Sequence, residues 1–448
     1  MNETHEPESA PGPRVSRRQL IVGAAALAGG ALVAGQIVNS VGAAGSNAEQ
    51  LNFWHLLTGG DGINMNTMVQ HTNRGNSSFT TSQTILTWGT PYYTKLAMAS
   101  AGGRAPDVAI MHESRIAGYA PGGLLDAWDL DQLARHGVHA YDFPERVWST
   151  GQSDGKQYAV ALDSHPFILM YNPKILKKAG MLGANGQIEE ISSPARFLEV
   201  AAAVQKVTGK HGLSYGYLGD GAQMWRLFYT FYKQHGAEMV LTPGKKAEVD
   251  MDAAVASLDF IRALLNNTIA TSSGDYNTAM SEFLGGGSGL LFTGVWELPT
   301  MRANKLAVDA TPIPTLFGTP AAYADSHSFV LPHQHSVDPQ KRDDVYAFVA
   351  AMLKDSLLWA SGGHIPAFQP VATSNEYLAL EPQAHYSSAA KNLNYDPTAW
   401  FTGSGSDFQT FFASSLQDVY RGKVSPRVGM EGFIARLNVL LSKPNPVG

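Results

Sequence analysis

Cysteine is absent from this 448-residue chain, which excludes disulfides, thiolate-bound zinc, iron–sulfur clusters and a cysteine nucleophile. It also excludes a lipid anchor built on an N-terminal cysteine. Charge is scarce as well: 16% of residues are charged, with 32 basic against 38 acidic, and no long basic run occurs. Nucleic-acid binders concentrate positive charge on one face, so nucleic acid is not expected as a partner. No internal repeat or low-complexity linker follows residue 50. What remains is 44% hydrophobic and 10% aromatic, too apolar for disorder. It is long enough for large cores in about three units of ~150 residues, or in two larger ones.

One apolar run stands out. Residues 1–15 are polar and proline-rich, Ser16-Arg17-Arg18-Gln19-Leu20 follows, and Leu20–Val38 carries no charge. Small residues Val41, Gly42, Ala43 and Ala44 then offer a cleavage point. A charged start, an apolar stretch and small residues make an export signal, and paired arginines mark the twin-arginine route. Residues 1–44 are therefore read as that signal, with an uncleaved membrane anchor as the alternative. The body beyond it is expected outside the cytoplasm.

Within the body, strand-like and helix-like segments alternate. Leu51–Leu56 reads as a strand ending in the glycine-rich turn Thr58-Gly59-Gly60-Asp61-Gly62, and residues 91–101 as a helix with proline at its start. Asp107–Met111 reads as a buried strand, with a helix expected from Ser114 to about Pro121. Tyr158–Tyr171 is strand-like, Pro173–Ala179 a short helix, and residues 194–207, 252–266 and Val345–Leu358 carry helical spacing. The alternation predicts an α/β fold with largely parallel sheets, whose ligands bind at the carboxyl ends of strands.

Enzyme signatures fall short. His112-Glu113 runs on to Ile116 without the second histidine of a zinc protease, and no Gly-x-Ser-x-Gly elbow occurs. Gly285-Gly286-Gly287-Ser288-Gly289 lacks the Lys and Ser/Thr ending of a phosphate-binding loop. His327, His333 and His335 fall close together but read as a polar loop, so neither a metal nor a cofactor is expected. Carboxylate pairs suited to glycoside hydrolysis stay open, because their separation is not visible in sequence.

An ordered series of segments is similar to one family. Phe53-Trp54 with its glycine-rich turn, Tyr93-Thr94-Lys95-Leu96 and Gly103-Arg104-Ala105-Pro106-Asp107-Val108 come first. Tyr119-Ala120 through Gly123-Leu124-Leu125, Asp154-Gly155-Lys156-Gln157-Tyr158 and Tyr171-Asn172-Pro173-Lys174 with Lys178-Ala179-Gly180 continue it. Phe292-Thr293-Gly294-Val295-Trp296, the Val345–Leu358 helix with Trp359, and Gly363-His364-Ile365-Pro366-Ala367 complete it. Together, over about residues 50–370, they resemble the bacterial extracellular solute-binding proteins of family 1, the carbohydrate receptors of ABC importers. The missing cysteine departs from the many relatives that are lipoproteins.

The resemblance implies a two-lobed, periplasmic-binding-protein-like fold with hinge-crossing segments. Residues 45–163 plus 327–363 would form the N-terminal lobe, and 164–326 plus 364–448 the C-terminal lobe. Asp163-Ser164-His165, Ser326-His327-Ser328 and His364-Ile365-Pro366 would be the crossings. A carbohydrate would bind between the lobes of a monomer and pass to the permease subunits. Trp296 occupies the place of a stacking aromatic, with Glu297 beside it; Trp88 and Trp225 are further aromatic candidates. Gly59, Gly60 and Asp61 after the first strand, and His112 and Glu113 after the Asp107–Met111 strand, offer groups for hydroxyls. Asp163, His165 and His327 add polar contacts at the crossings. The competing reading is an exported glycoside hydrolase, which uses the same aromatics and carboxylates.

Overall fold

Burial of β-rich runs gathers the chain into two seven-stranded sheets, with two small two-stranded ones beside them, in a computed structural model that describes residues 37–38 and 49–445. Arg17, Arg18 and the small residues at 41–44 lie outside the described residues. In chain order, β1 (Ile37–Val38), β2 (Glu49–His55), α1 (Gly59–Gly75), β3 (Phe79–Ile85), α2 (Thr90–Ala101), β4 (Val108–His112), β5 (Leu125–Asp126) and β6 (Ala159–Ala161) come first. The chain then runs through β7 (Asp163–Tyr171), α3 (Pro194–Thr208), β8 (Leu213–Ser214), α4 (Gly221–Gln234), α5 (Met251–Leu264), β9 (Leu290–Gly294), β10 (Asp309–Pro312) and β11 (Ala322–Asp325). It ends with β12 (His327–Pro332), α6 (Pro339–Lys354), β13 (Ile365–Pro366), β14 (Leu393–Asn394), α7 (Asp407–Tyr420) and α8 (Pro426–Leu441).

Side-chain caps set several helix starts. Ser193 accepts from the Arg196 N–H ahead of α3, Asp220 from Gln223 ahead of α4, and Asp338 from Gln340 and Lys341 ahead of α6. Each satisfies amides that the first helical turn leaves unpaired. Two expectations change here. The segment after β4 is a short 3-10 turn, Glu113–Gly118, ending where Gly118 packs against the Trp400 carbonyl with no room for a Cβ. The glycine-rich segment after β2 is not a loop but the first turn of α1, which Met65, Met68 and Val69 anchor in the core.

The first sheet has the order β1-β3-β2-β4-β12-β5, with β6 also on β12; the second runs β8-β9-β7-β11-β14, with β10 and β13 on β7. Each sheet carries its own apolar core. β2 lies parallel to β3 and β4, β8 to β9, and β11 to β14, whereas β7 and β12 are antiparallel to their main neighbours. The sheets are thus mixed, not largely parallel. The cause is the wiring: β6 leaves the first sheet and β7 enters the second after Leu162 alone, and β11 returns to β12 across Ser326 alone. Strands that cross between lobes in opposite senses must run antiparallel where they meet. Among the described residues no helix is long and apolar enough to span a membrane.

Helix α4 is buried on nearly every side, wedged among β11, α5 and α7. Trp225 is accordingly a core residue and not a cleft aromatic: it is 0% exposed. Its ring stacks on Tyr229 at 4.7 Å and meets Phe408 at 4.6 Å edge-on, while Nε1 donates to the Asp396 carboxylate. Emptying that space costs both transfer energy and a cavity. Trp225→Ala is expected to lower unfolding stability by about 3–5 kcal/mol, read by urea denaturation; a loss under 1 kcal/mol would show that the ring is not integral to this core.

Candidate functional site

The crossings converge on one carboxylate. Asp163, fully buried, receives His165 Nδ1 at 3.0 Å and the His327 backbone N–H at 2.9 Å on Oδ1. On Oδ2 it receives Trp359 Nε1 at 2.6 Å and His327 Nδ1 at 2.8 Å, with His364 Nδ1 at 2.9 Å. His364 Nε2 turns the other way to Asp61 Oδ1 at 3.0 Å. Burial opposes a charge on Asp163, but His327, His165 and His364 around it hold its carboxyl well below the usual range. Burial also opposes a charge on His364, yet Asp61 and Asp163 on its two sides outweigh that and hold its pKa up at about 10. His165 goes the opposite way, down to about 3, through burial and the neighbouring His327. His112 is pushed well below its usual value by burial, His327 and His165.

Above this floor lies a cleft of about 440 Å³ with walls from both lobes. Gly59, Gly60 and Asp61 enter it from the start of α1, Trp88 from the turn before α2, and His112 from the end of β4. His165 and His327 line its base, and Trp296 and Glu297, just past β9, its far wall. Two glycines make the fit. A Cβ on Gly294 would lie 1.9 Å from the Trp296 ring, so only glycine lets the indole lie against that backbone. A Cβ on Gly60 would lie 2.4 Å from Pro299 Cβ, so α1 and the segment after Trp296 touch there.

Trp296 is held at its edge and at its face. Its Nε1 donates to the Tyr276 hydroxyl at 3.1 Å, that hydroxyl donates to Glu297, and the Arg226 guanidinium sits over the ring at 4.6 Å. Burial raises the Glu297 pKa against the lowering effect of Tyr276 and Thr300. Gln223, Arg226, Tyr276 and Thr300 were not anticipated from sequence. Arg226 follows Trp225 directly, and one helical step of about 100° separates a core position from a cleft position. The apolar spacing of α4 was the available signal.

Two other anticipated residues stand apart from this cleft. Asp163 lies beneath it, orienting His165 and His327 instead of facing it. Glu113 faces a second cleft, of about 500 Å³, beyond the crossings, with Arg146, Lys233, Tyr395 and Asp396. The end of β4 divides them: His112 is its last residue and lines the first cleft, whereas Glu113 opens the 3-10 turn that follows and lines the second. Burial pushes the Glu113 carboxyl well up, with Asp325 and Asp163 adding to it. His333 and His335 do not join His327: His333 bonds Asp126 at 2.7 Å and His335 packs on Gly103.

Each buried neutral imidazole weakens the native state in acid. His55 is also pushed down, to about 4, by burial against its bond to Gln83. For His55, His112 and His165 the folded pKa is below the unfolded one, so the unfolded chain alone takes protons below about pH 6.5. Each ring on its own is then expected to lower stability from pH 6.5 to 5 by up to ~1.4 kcal/mol per pH unit, while Glu113 and Asp396, whose carboxyls burial raises, Asp396 to about 7, work in the opposite direction. His364 behaves oppositely, its contribution being present at low pH and lost as pH rises through about 10. Denaturation curves in chelator at pH 7, 6 and 5 check this through the difference between wild type and His55→Asn, which is expected to shrink by up to ~1.4 kcal/mol per pH unit toward acid; a difference that does not change with pH would contradict it.

No curated protein sequence matches the chain. Among solved structures, the GacH receptor of Streptomyces glaucescens, determined unliganded and with acarbose, superposes with a TM-score of 0.74 at 18% identity, covering 88% of this chain and 99% of that one. The cyclic alpha-maltosyl-1,6-maltose binding protein from Arthrobacter globiformis gives 0.69 at 19% identity, over 88% and 99% of the two chains. The ABC substrate-binding protein Lmo0181 from Listeria monocytogenes, in complex with cycloalternan, gives 0.71 at 16% identity, over 89% and 100%. At these identities the likeness establishes the two-lobed α/β fold. The sequence itself matches the bacterial extracellular solute-binding protein family over residues 90–380, well over half of its length. This chain therefore belongs to the bacterial extracellular solute-binding proteins, a family that captures solutes outside the cytoplasm and does not convert them.

Proposed function

We propose that the protein is the carbohydrate receptor of an ABC importer, holding a neutral sugar or oligosaccharide in the Asp61–Trp296 cleft and passing it to membrane permease subunits. The observation that carries this reading is the composition of that cleft, an indole face set among polar groups contributed by both lobes. A sugar ring presents an apolar C–H face to an aromatic and hydroxyls around its rim. Gly59, Gly60, Asp61, His112, His165, Arg226 and His327 are placed to meet those hydroxyls, with Trp88 at the mouth, 42% exposed, as a second platform. The similar proteins described with acarbose, cyclic maltosyl-maltose and cycloalternan favour α-linked gluco-oligosaccharides as the first ligands to try.

The lobes are taken as residues 45–163 plus 327–363 and 164–326 plus 364–448, closing about the crossings over the ligand. The receptor acts as a monomer. Export follows the twin-arginine route through residues 1–44. Replacing Arg17 and Arg18 by Lys is expected to retain the precursor in the cytoplasm, read by cell fractionation; undiminished export would remove that route.

Binding is tested by thermal shift, since a ligand specific for the folded state raises apparent stability. A neutral saccharide is expected to raise the melting temperature, with no product formed, whereas phosphate and free amino acids do not. Trp296→Ala is expected to cost roughly 2 kcal/mol, about 30-fold in affinity by calorimetry, while staying folded. Unchanged affinity in that variant would place the ligand elsewhere, and a response only to amino acids or peptides would replace the solute class.

A further inference from the structure

Each of the three crossings brings an imidazole to Asp163, and that convergence exceeds what a hinge hydrogen bond needs. Asp163, His165, His327 and His364 are all buried, and one donor atom from each lies within 4.8 Å of the others. Five groups face this one carboxylate: three imidazole nitrogens, the Trp359 indole N–H and the His327 backbone N–H. A carboxylate offers about four lone-pair directions, so one group is in surplus. The surplus is His364 Nδ1. It stands 2.9 Å from Oδ2 in an ion pair, but the approach of this fully buried nitrogen is not aligned for a hydrogen bond.

The surroundings are those of a ligand set. His364 Nε2 is fixed by Asp61 Oδ1 at 3.0 Å, which leaves Nδ1 aimed at the cluster. A carboxylate on the far nitrogen is how a metal-ligating imidazole is oriented. Trp359 Nε1, on Asp163 Oδ2 at 2.6 Å, steadies the carboxylate in the same way. His165 and His327 also line the cleft, which opens a path from solvent to the cluster.

We propose that Asp163, His165, His327 and His364 form a binding site for one divalent transition ion of the zinc class. Three imidazoles and one carboxylate suit zinc and its borderline neighbours and leave magnesium and calcium, which favour all-oxygen sets, poorly served. Ligands at about 2.0–2.2 Å in a tetrahedron lie ~3.4 Å apart, so the ion opens the 2.8–3.0 Å contacts to Asp163 slightly and brings the donor atoms, now up to 4.8 Å apart, closer together. It gives His364 Nδ1 an aligned partner, replaces the ring protons that face Asp163, and ties all three crossings into one unit. The site does not depend on which solute the cleft takes.

The test uses the full mature chain, stripped with chelator, dialysed and titrated with ZnCl2 by calorimetry at pH 7.5. The expected result is a single site per chain whose affinity falls about 100-fold in His364→Gln and in His165→Gln. The pair His333→Gln and His335→Gln, outside the cluster, is expected to leave it unchanged. Affinity should weaken from pH 8 to pH 6, because the ion competes with protons for the imidazoles. Should the cluster variants fail to fold, anomalous diffraction at the zinc edge on wild-type crystals decides. A peak bounded by Asp163, His165, His327 and His364 supports the site, and a peak elsewhere, or none, overturns it. Absence of any zinc heat in the wild type, or a titration unchanged in both cluster variants, overturns it equally.

Discussion

A single buried charge organises this molecule. Asp163 sits at 0% exposure where two lobes join, and an isolated carboxylate there would be expelled or neutralised by its desolvation cost. It stays ionised because the crossings themselves supply the compensation: His165 two residues on, His327 from the returning strand, and Trp359 and His364 from the third segment. The same contacts fix the cleft floor. His165 and His327 can present their outer edges to a ligand only because their Nδ1 atoms are held from below. Through His364 the arrangement reaches Asp61 at the start of α1, so one wall of the cleft is tied to the hinge.

The charges above that floor are largely answered within the protein. Asp61 faces His364, Glu297 accepts from Tyr276, and Arg226 spends its guanidinium on the face of Trp296. What remains toward the space are hydrogen-bonding edges and part of an indole, a lining suited to an uncharged, hydroxyl-rich solute more than to an anion. Arg115, in the turn after β4, is engaged elsewhere, stacking over Tyr93 at 4.4 Å.

Much of this was legible in the sequence because it depends on order and local spacing. The glycine-rich start of α1, the Asp107–Met111 strand, the Gly294–Trp296 turn and the histidines at the crossings are local features, and all of them come to the two lobes' junction. Three features escaped for physical reasons. A one-residue phase separates Trp225 in the core from Arg226 in the cleft, and His112 in the cleft from Glu113 behind it. Strand direction depends on how the lobes are wired together, which periodicity does not encode, hence the mixed sheets. Asp163 and His364 lie 201 positions apart, so no spacing rule could bring them together.

Two clefts flank the crossings, and the one lined by Glu113, Arg146 and Asp396 is at 500 Å³ slightly roomier than the one lined by Trp296 at 440 Å³. The ligand is assigned to the smaller, where the half-buried Trp296 indole meets the histidines that Asp163 holds. The most direct measurement is a crystal structure with a bound maltooligosaccharide. The account predicts a sugar ring against Trp296, with hydroxyls at Asp61, Arg226 and the edges of His165 and His327. Sugar density in the Glu113–Asp396 cleft, with the Trp296 side unchanged, would contradict it.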